Sequence, residues 1–177
     1  FTMIMQYQDR NYQLNGSCQL PIQWAGVIRK GSMADKPTFT IDQREQVFDK
    51  YAADPSTRHR VWQGPKDLSA QTWVWTTDTS LNLRIVVNDD KHVQPNPESE
   101  LWKSDCIQLA MQLPGQKGQW EINLARSDDG KSLVNPGIVP QELNASGITH
   151  SLLKTTASDG KIVYELTLPL AALHLTA

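Results

Sequence analysis

Long hydrophobic runs are absent from this chain: no apolar stretch approaches the ~20 residues that a membrane-spanning helix needs. An excess of charge is absent too. Seventeen Lys and Arg stand against nineteen Asp and Glu in 177 residues, a formal net charge of −2, which argues against a basic nucleic-acid face and against an acidic tail. Cysteine is scarce. Cys18 and Cys106 are the only two, without metal-type spacing, and both a disulfide between them and two reduced, half-buried thiols are compatible with their positions. Helical periodicity is nearly missing. Its best trace lies in residues 42–53, where Val47, Phe48 and Tyr51 cluster, Asp42 can cap with Glu45 three residues on, and Asp54-Pro55 follows as a stop. This predicts one short helix or helical turn. There is no Ser-His-Asp or zinc signature and no recognisable acid/base pair of carboxylates, so the chain is not expected to be an enzyme.

What is present is period-two alternation. Residues 72–76 form a short run with two tryptophans. Residues 81–88 put Leu81, Leu83, Ile85 and Val87 on one face and Asn82, Arg84, Val86 and Asn88 on the other. Residues 105–112 put Ile107, Leu109 and Met111 inward, and residues 119–125 put Trp120, Ile122 and Leu124 on one face. Residues 148–155 and 161–168 complete the series, with 3–8 and 26–30 as additional strands near the start. Residues 115–118 and 158–160 supply turns, while residues 31–38 and 91–99 read as loops. Many short strands with almost no helix predict a single all-β domain over residues 1–177: a two-sheet antiparallel β-sandwich, jelly-roll or immunoglobulin-like, with at most one short helix. Leu83, Ile85, Ile107, Leu109, Ile122, Leu124, Leu166 and Leu168 are its expected shared core. The chain starts at Phe1 without a signal peptide, as expected of a processed or excised piece. The sequons at Asn15-Gly16-Ser17 and Asn144-Ala145-Ser146 are of a kind that often arises by chance.

Three segments carry a resemblance. The first is Val61-Trp62-Gln63-Gly64-Pro65-Lys66-Asp67-Leu68-Ser69-Ala70. The second is a strand ending in Asn88-Asp89-Asp90, and the third is Leu101-Trp102-Lys103-Ser104-Asp105-Cys106-Ile107-Gln108. With Gln119-Trp120-Glu121-Ile122-Asn123 and the closing Tyr164-Glu165-Leu166-Thr167-Leu168-Pro169, their order resembles family 9 carbohydrate-binding modules and their relatives over residues 61–173. In that family a strand ending in Asp-Asp leads through a loop to Trp-x-x-Asp-x-x-Glu. Here Gln108 stands at the acidic position, and the family's later strands, with a second clamping tryptophan, have no counterpart before Ala177.

The resemblance implies a non-catalytic module that binds a poly- or oligosaccharide, attached to a secreted polysaccharide-degrading enzyme, in a secreted, periplasmic or cell-surface setting. Sugars need an aromatic platform beside amide, carboxylate and guanidinium groups. Trp102 is the expected platform, with Gln108, Glu121, Arg84 and Asn123 bonding hydroxyls; Asn88 shares their outward phase. Trp73, Trp75 and Trp120 are expected in the core or at its rim, and Trp62 as a loop plug. The resemblance also implies structural calcium, for which Asp89, Asp90 and Asp105 are the candidate ligands because calcium takes hard oxygen donors; His92 reads as a solvated loop histidine. Two rivals remain: an accessory sandwich that packs on a catalytic domain of the same protein without binding sugar, and a haem-binding DOMON-type domain needing Met or His axial ligands. Solvent exposure of Trp102 separates a platform from a packing residue.

Overall fold

Alternation gives every strand one apolar face, and that face must be covered. The computed structural model, which describes residues 2–11, 16–25, 28–43 and 64–175, covers it by laying one sheet on another. The strands in chain order are β1 (Thr2–Asn11), β2 (Gly16–Ala25), β3 (Arg29–Lys30), β4 (Phe39–Ile41), β5 (Leu68–Thr76), β6 (Ser80–Asp89), β7 (Cys106–Gln112), β8 (Trp120–Arg126), β9 (Ser132–Ile138), β10 (Leu153–Ser158) and β11 (Lys161–Pro169). The five-stranded sheet runs β2-β1-β7-β8-β9; the six-stranded sheet runs β10-β11-β6-β5-β3, with β4 also on β5. All pairings are antiparallel except β3 with β5. The chain is thus an all-β two-sheet sandwich. Helical structure among the described residues is confined to 3-10 turns at Glu98–Lys103, His150–Leu152 and Leu170–Leu173, and none is long enough to cross a membrane. The expected helix of residues 42–53 lies, past residue 43, outside the described residues, as does Trp62.

The eight expected core residues are all buried, in one cluster with Leu81, Val87, Met111, Trp120 and Tyr164. Trp120 shows how the turns serve this core. Gly115 and Gly118 take positive φ values of 76° and 100°, a backbone that favours glycine. The turn so formed brings Gln116 to Trp120, whose Nε1 donates to its Oε1 at 2.7 Å. Between β10 and β11, Asp159 and Gly160 both have positive φ, the two-residue hairpin that an Asp-Gly pair favours.

Several boundaries differ from the sequence reading. Residues 148–155 are not one strand: a 3-10 turn occupies His150–Leu152 and β10 begins at Leu153. In residues 26–30 only Arg29–Lys30 are described as strand. β2, β4 and β9 were missed. β9 contains Pro136 and Gly137, which read as strand breakers, yet it is an edge strand, where a missing N–H leaves no ladder bond unmade. Cys106 is fully buried. Cys18 lies on β2 and Cys106 on β7, with β1 between them; two strand spacings of roughly 4.8 Å each exceed the ~7 Å Cα separation that a disulfide spans.

The sandwich also closes tightly near its C-terminal turn. A Cβ at Gly147 would meet Ala172 Cβ at 2.8 Å and its backbone Cα at 3.1 Å. Gly147→Ala should therefore overpack this contact and cost about 1–3 kcal/mol, read as a lower urea midpoint at unchanged slope. An unshifted midpoint would mean that the turn yields freely.

Candidate functional site

The connection from β6 to β7 crosses from one sheet to the other, and its hydrogen bonds fix it in place. Val93 N donates to Asp105 Oδ2 at 2.5 Å and Lys91 N to Asp89 Oδ1 at 2.9 Å. The buried Gln94 side chain donates to the carbonyls of Asp105 and Leu101, at 2.9 and 3.1 Å. Gln94 N donates to Asp128 Oδ1 at 2.7 Å, tying the crossing to the β8–β9 hairpin. These bonds satisfy backbone groups that would be costly to leave unpaired in a buried loop.

The crossing ends in the 3-10 turn Glu98–Lys103, which lies on the outer face of the five-stranded sheet. Leu101 is buried there with Cys106, Ala125 and Leu133, a second small apolar cluster separate from the main core. Its neighbour Trp102 is 43 % exposed. Lys103 Nζ lies 5.4 Å from the Trp102 ring centroid and 2.6 Å from Glu100 Oε1. The aromatic ring is thus presented to solvent from a turn anchored by the residue before it.

The same outer face carries a row of amides. Gln108 is opposite Asn123 across β7 and β8, and Asn123 is opposite Asn135 across β8 and β9. Glu121 flanks this row, and Gly137 leaves it room: a Cβ there would come within 2.7 Å of Asn123 Nδ2 and 3.1 Å of Glu121 Oε1. Asn123 is buried, and its Oδ1 has no hydrogen-bond partner among the described residues. An open groove of about 710 Å³ runs alongside, lined among others by Pro97, Glu98, Asp129, Lys131, Leu133 and Asn135. Hydrogen bonds from Lys131 and Ser127 hold the Asp129 carboxyl down at about 2, so the groove keeps an ionised pair at one end.

Four of the five expected sugar-site residues, Trp102, Gln108, Glu121 and Asn123, therefore belong to one sheet face and the turn upon it. Arg84 does not. It lies on β6 in the other sheet, opposite Trp73 and Glu165, and its guanidinium is ion-paired with the Glu165 carboxylate. Asn88 is on that sheet too, bonded to Ser69 Oγ at 2.7 Å. The expectation that all these outward residues share a face fails because neighbouring strands in sequence are here separated by a crossing. Trp120 is buried as expected, and Trp73 and Trp75 are half-buried on the outer side of β5.

Of the expected calcium ligands, Asp89 and Asp105 are buried while Asp90 is exposed. His92, expected to be solvated, is instead largely buried between the two inner carboxylates. The residues that sequence reasoning missed at the outer face are Asn135 and Gly137, because β9 was not recognised as a strand.

Fold and site together define a β-sandwich with an exposed tryptophan beside an amide-rich sheet face. No family model matches the chain, and neither a curated protein nor a solved structure does.

Proposed function

We propose that this chain is a non-catalytic carbohydrate-binding module that takes a poly- or oligosaccharide on the outer face of its five-stranded sheet. The observation that carries the reading is Trp102: a large ring 43 % exposed, held by a turn whose preceding residue is buried, on the sheet face that also carries Gln108, Glu121 and the buried Asn123. A flat apolar ring stacks on the C–H face of a sugar, and side-chain amides and a carboxylate bridge neighbouring hydroxyls. The resemblance of residues 61–173 to family 9 modules supports the same reading and extends it to attachment to a secreted polysaccharide-degrading enzyme. Calorimetry of the chain against xylan, glucan and uronate oligomers tests it. Trp102→Ala should cost roughly 2 kcal/mol or more of binding with the far-ultraviolet circular dichroism unchanged. Arg84→Ala should leave binding as it is, because Arg84 is on the opposite sheet. Equal binding by Trp102→Ala would place the site elsewhere.

The accessory-sandwich reading is favoured by a different surface. Met33 is 43 % exposed and lines a groove on the six-stranded sheet with Trp75, Arg84 and Glu165, a mixed apolar and charged face suited to covering by a neighbouring domain. If the chain binds no sugar in the panel, this reading replaces the first.

A further inference from the structure

At one end of the sandwich the inward rows of both sheets run into carboxylates. Asp89 continues the buried row Leu83, Ile85, Val87 of β6, and Asp105 stands two residues before Ile107 on the inward row of β7. Their exposures are 5 % and 0 %. His92 reaches between them from the crossing, with Nδ1 3.8 Å from Asp89 Oδ2 and 3.6 Å from Asp105 Oδ2. One potential ligand atom from each of the three residues lies within 4.8 Å of the others.

The second ring nitrogen decides what the first can do. Nε2 lies 2.7 Å from the carbonyl oxygen of Arg126. A carbonyl only accepts, so Nε2 carries a proton, and Nδ1 is the ring atom that faces the two carboxylate oxygens. Nδ1 is buried and has no hydrogen-bond partner among the described residues, and the separations are too long for hydrogen bonds. One divalent cation can bond an atom from each of these three residues at once. An imidazole whose far N–H is fixed by a backbone carbonyl is also the way proteins orient a metal-ligating histidine.

A second buried polar group lies on the neighbouring strand β11. Tyr164 is fully buried, and its hydroxyl has no hydrogen-bond partner among the described residues, a costly state for a polar atom. Tyr164 is opposite Ile85, in the inward row of β6 that ends at Asp89.

We propose that Asp89, His92 and Asp105 bind one borderline divalent cation of the zinc class. Calcium fits this donor set poorly, since it takes six to eight oxygen ligands, whereas imidazole nitrogen with two carboxylates in a tight, buried site suits a four-coordinate zinc-type ion. The ion would join the end of β6 in one sheet to the start of β7 in the other. This site does not depend on the carbohydrate reading.

The test uses the whole chain, stripped with chelator and titrated calorimetrically with zinc chloride and, separately, calcium chloride. One equivalent of zinc should bind, more tightly than calcium by about 100-fold or more, and His92→Gln should weaken zinc by at least the ~10–100-fold that outlying partners of metal ligands contribute. Zinc should also protect His92 of the unmutated chain from diethylpyrocarbonate, read by peptide mass spectrometry, which needs no variant to fold. Absence of zinc binding by a folded chain, calcium binding more tightly, undiminished binding by a folded His92→Gln or an unprotected His92 each overturn the proposal.

Discussion

Trp120→Ala should lower the unfolding free energy by about 3–5 kcal/mol, the range for removing a large aromatic side chain from a packed core. Trp120 is fully buried, opposite Met111 on β7. Its ring stacks on His174 with centroids 6.3 Å apart, and its Nε1 bonds Gln116. Gln116 in turn donates to the Leu173 carbonyl at 2.6 Å. One side chain therefore links β8, the turn before it and the C-terminal 3-10 turn. Its loss opens a cavity and strands Gln116 Oε1 without its donor. Urea denaturation followed by circular dichroism measures the effect. A loss under about 1 kcal/mol would show that the neighbours collapse into the space, which close packing of this interior argues against.

Asp105→Ala should cost a comparable amount, about 3–5 kcal/mol, the usual penalty for removing one partner from a buried polar or charged set. The Asp105 side chain accepts from Val93 N and faces His92. Without it that N–H stays buried beside a histidine that has lost half its surroundings. Total stabilities of domains are only about 5–15 kcal/mol, so the variant should lose a large fraction of its stability and melt at a clearly lower temperature. The crossing that presents Trp102 hangs on the same bonds, and sugar affinity should fall with stability. Asp90→Ala is the control. Asp90 is exposed, and its removal should stay within about 0.5 kcal/mol. Melts in chelator compare the two, and equal melting temperatures would mean that Asp105 holds nothing together.

Much of the sandwich was legible because its central strands alternate without interruption. β6, β7, β8 and β11 each place apolar residues at every second position over several consecutive residues, and no helix has that period. β9 was not legible for the opposite reason: Pro136 and Gly137 break the pattern, and only its place at a sheet edge makes them harmless. The site divides in the same way. Gln108 and Asn123 were readable as outward residues of two successive strands that do pair. Arg84 was readable as outward too, but outward from which sheet is not a local property.

By itself the sequence determined the class of fold, the phase of each central strand and the identity of the core, because period-two hydrophobicity is local and is enforced by burial on one face. It also marked Asp89, Asp90 and Asp105 as acids at adjoining strand ends, while their burial was left to the structure. The tertiary structure decided everything that depends on which sheet a strand joins. It parted Arg84 from Gln108 by sending the chain across between β6 and β7, and it set Asn135 beside Asn123. It also brought His92 between the two buried carboxylates and onto the Arg126 carbonyl, thirty-four residues further along the chain. The reason is physical: strand phase follows from each residue's own neighbours along the chain, whereas pairing order is set by loop closure and by which apolar faces fit together, and these join residues far apart in sequence.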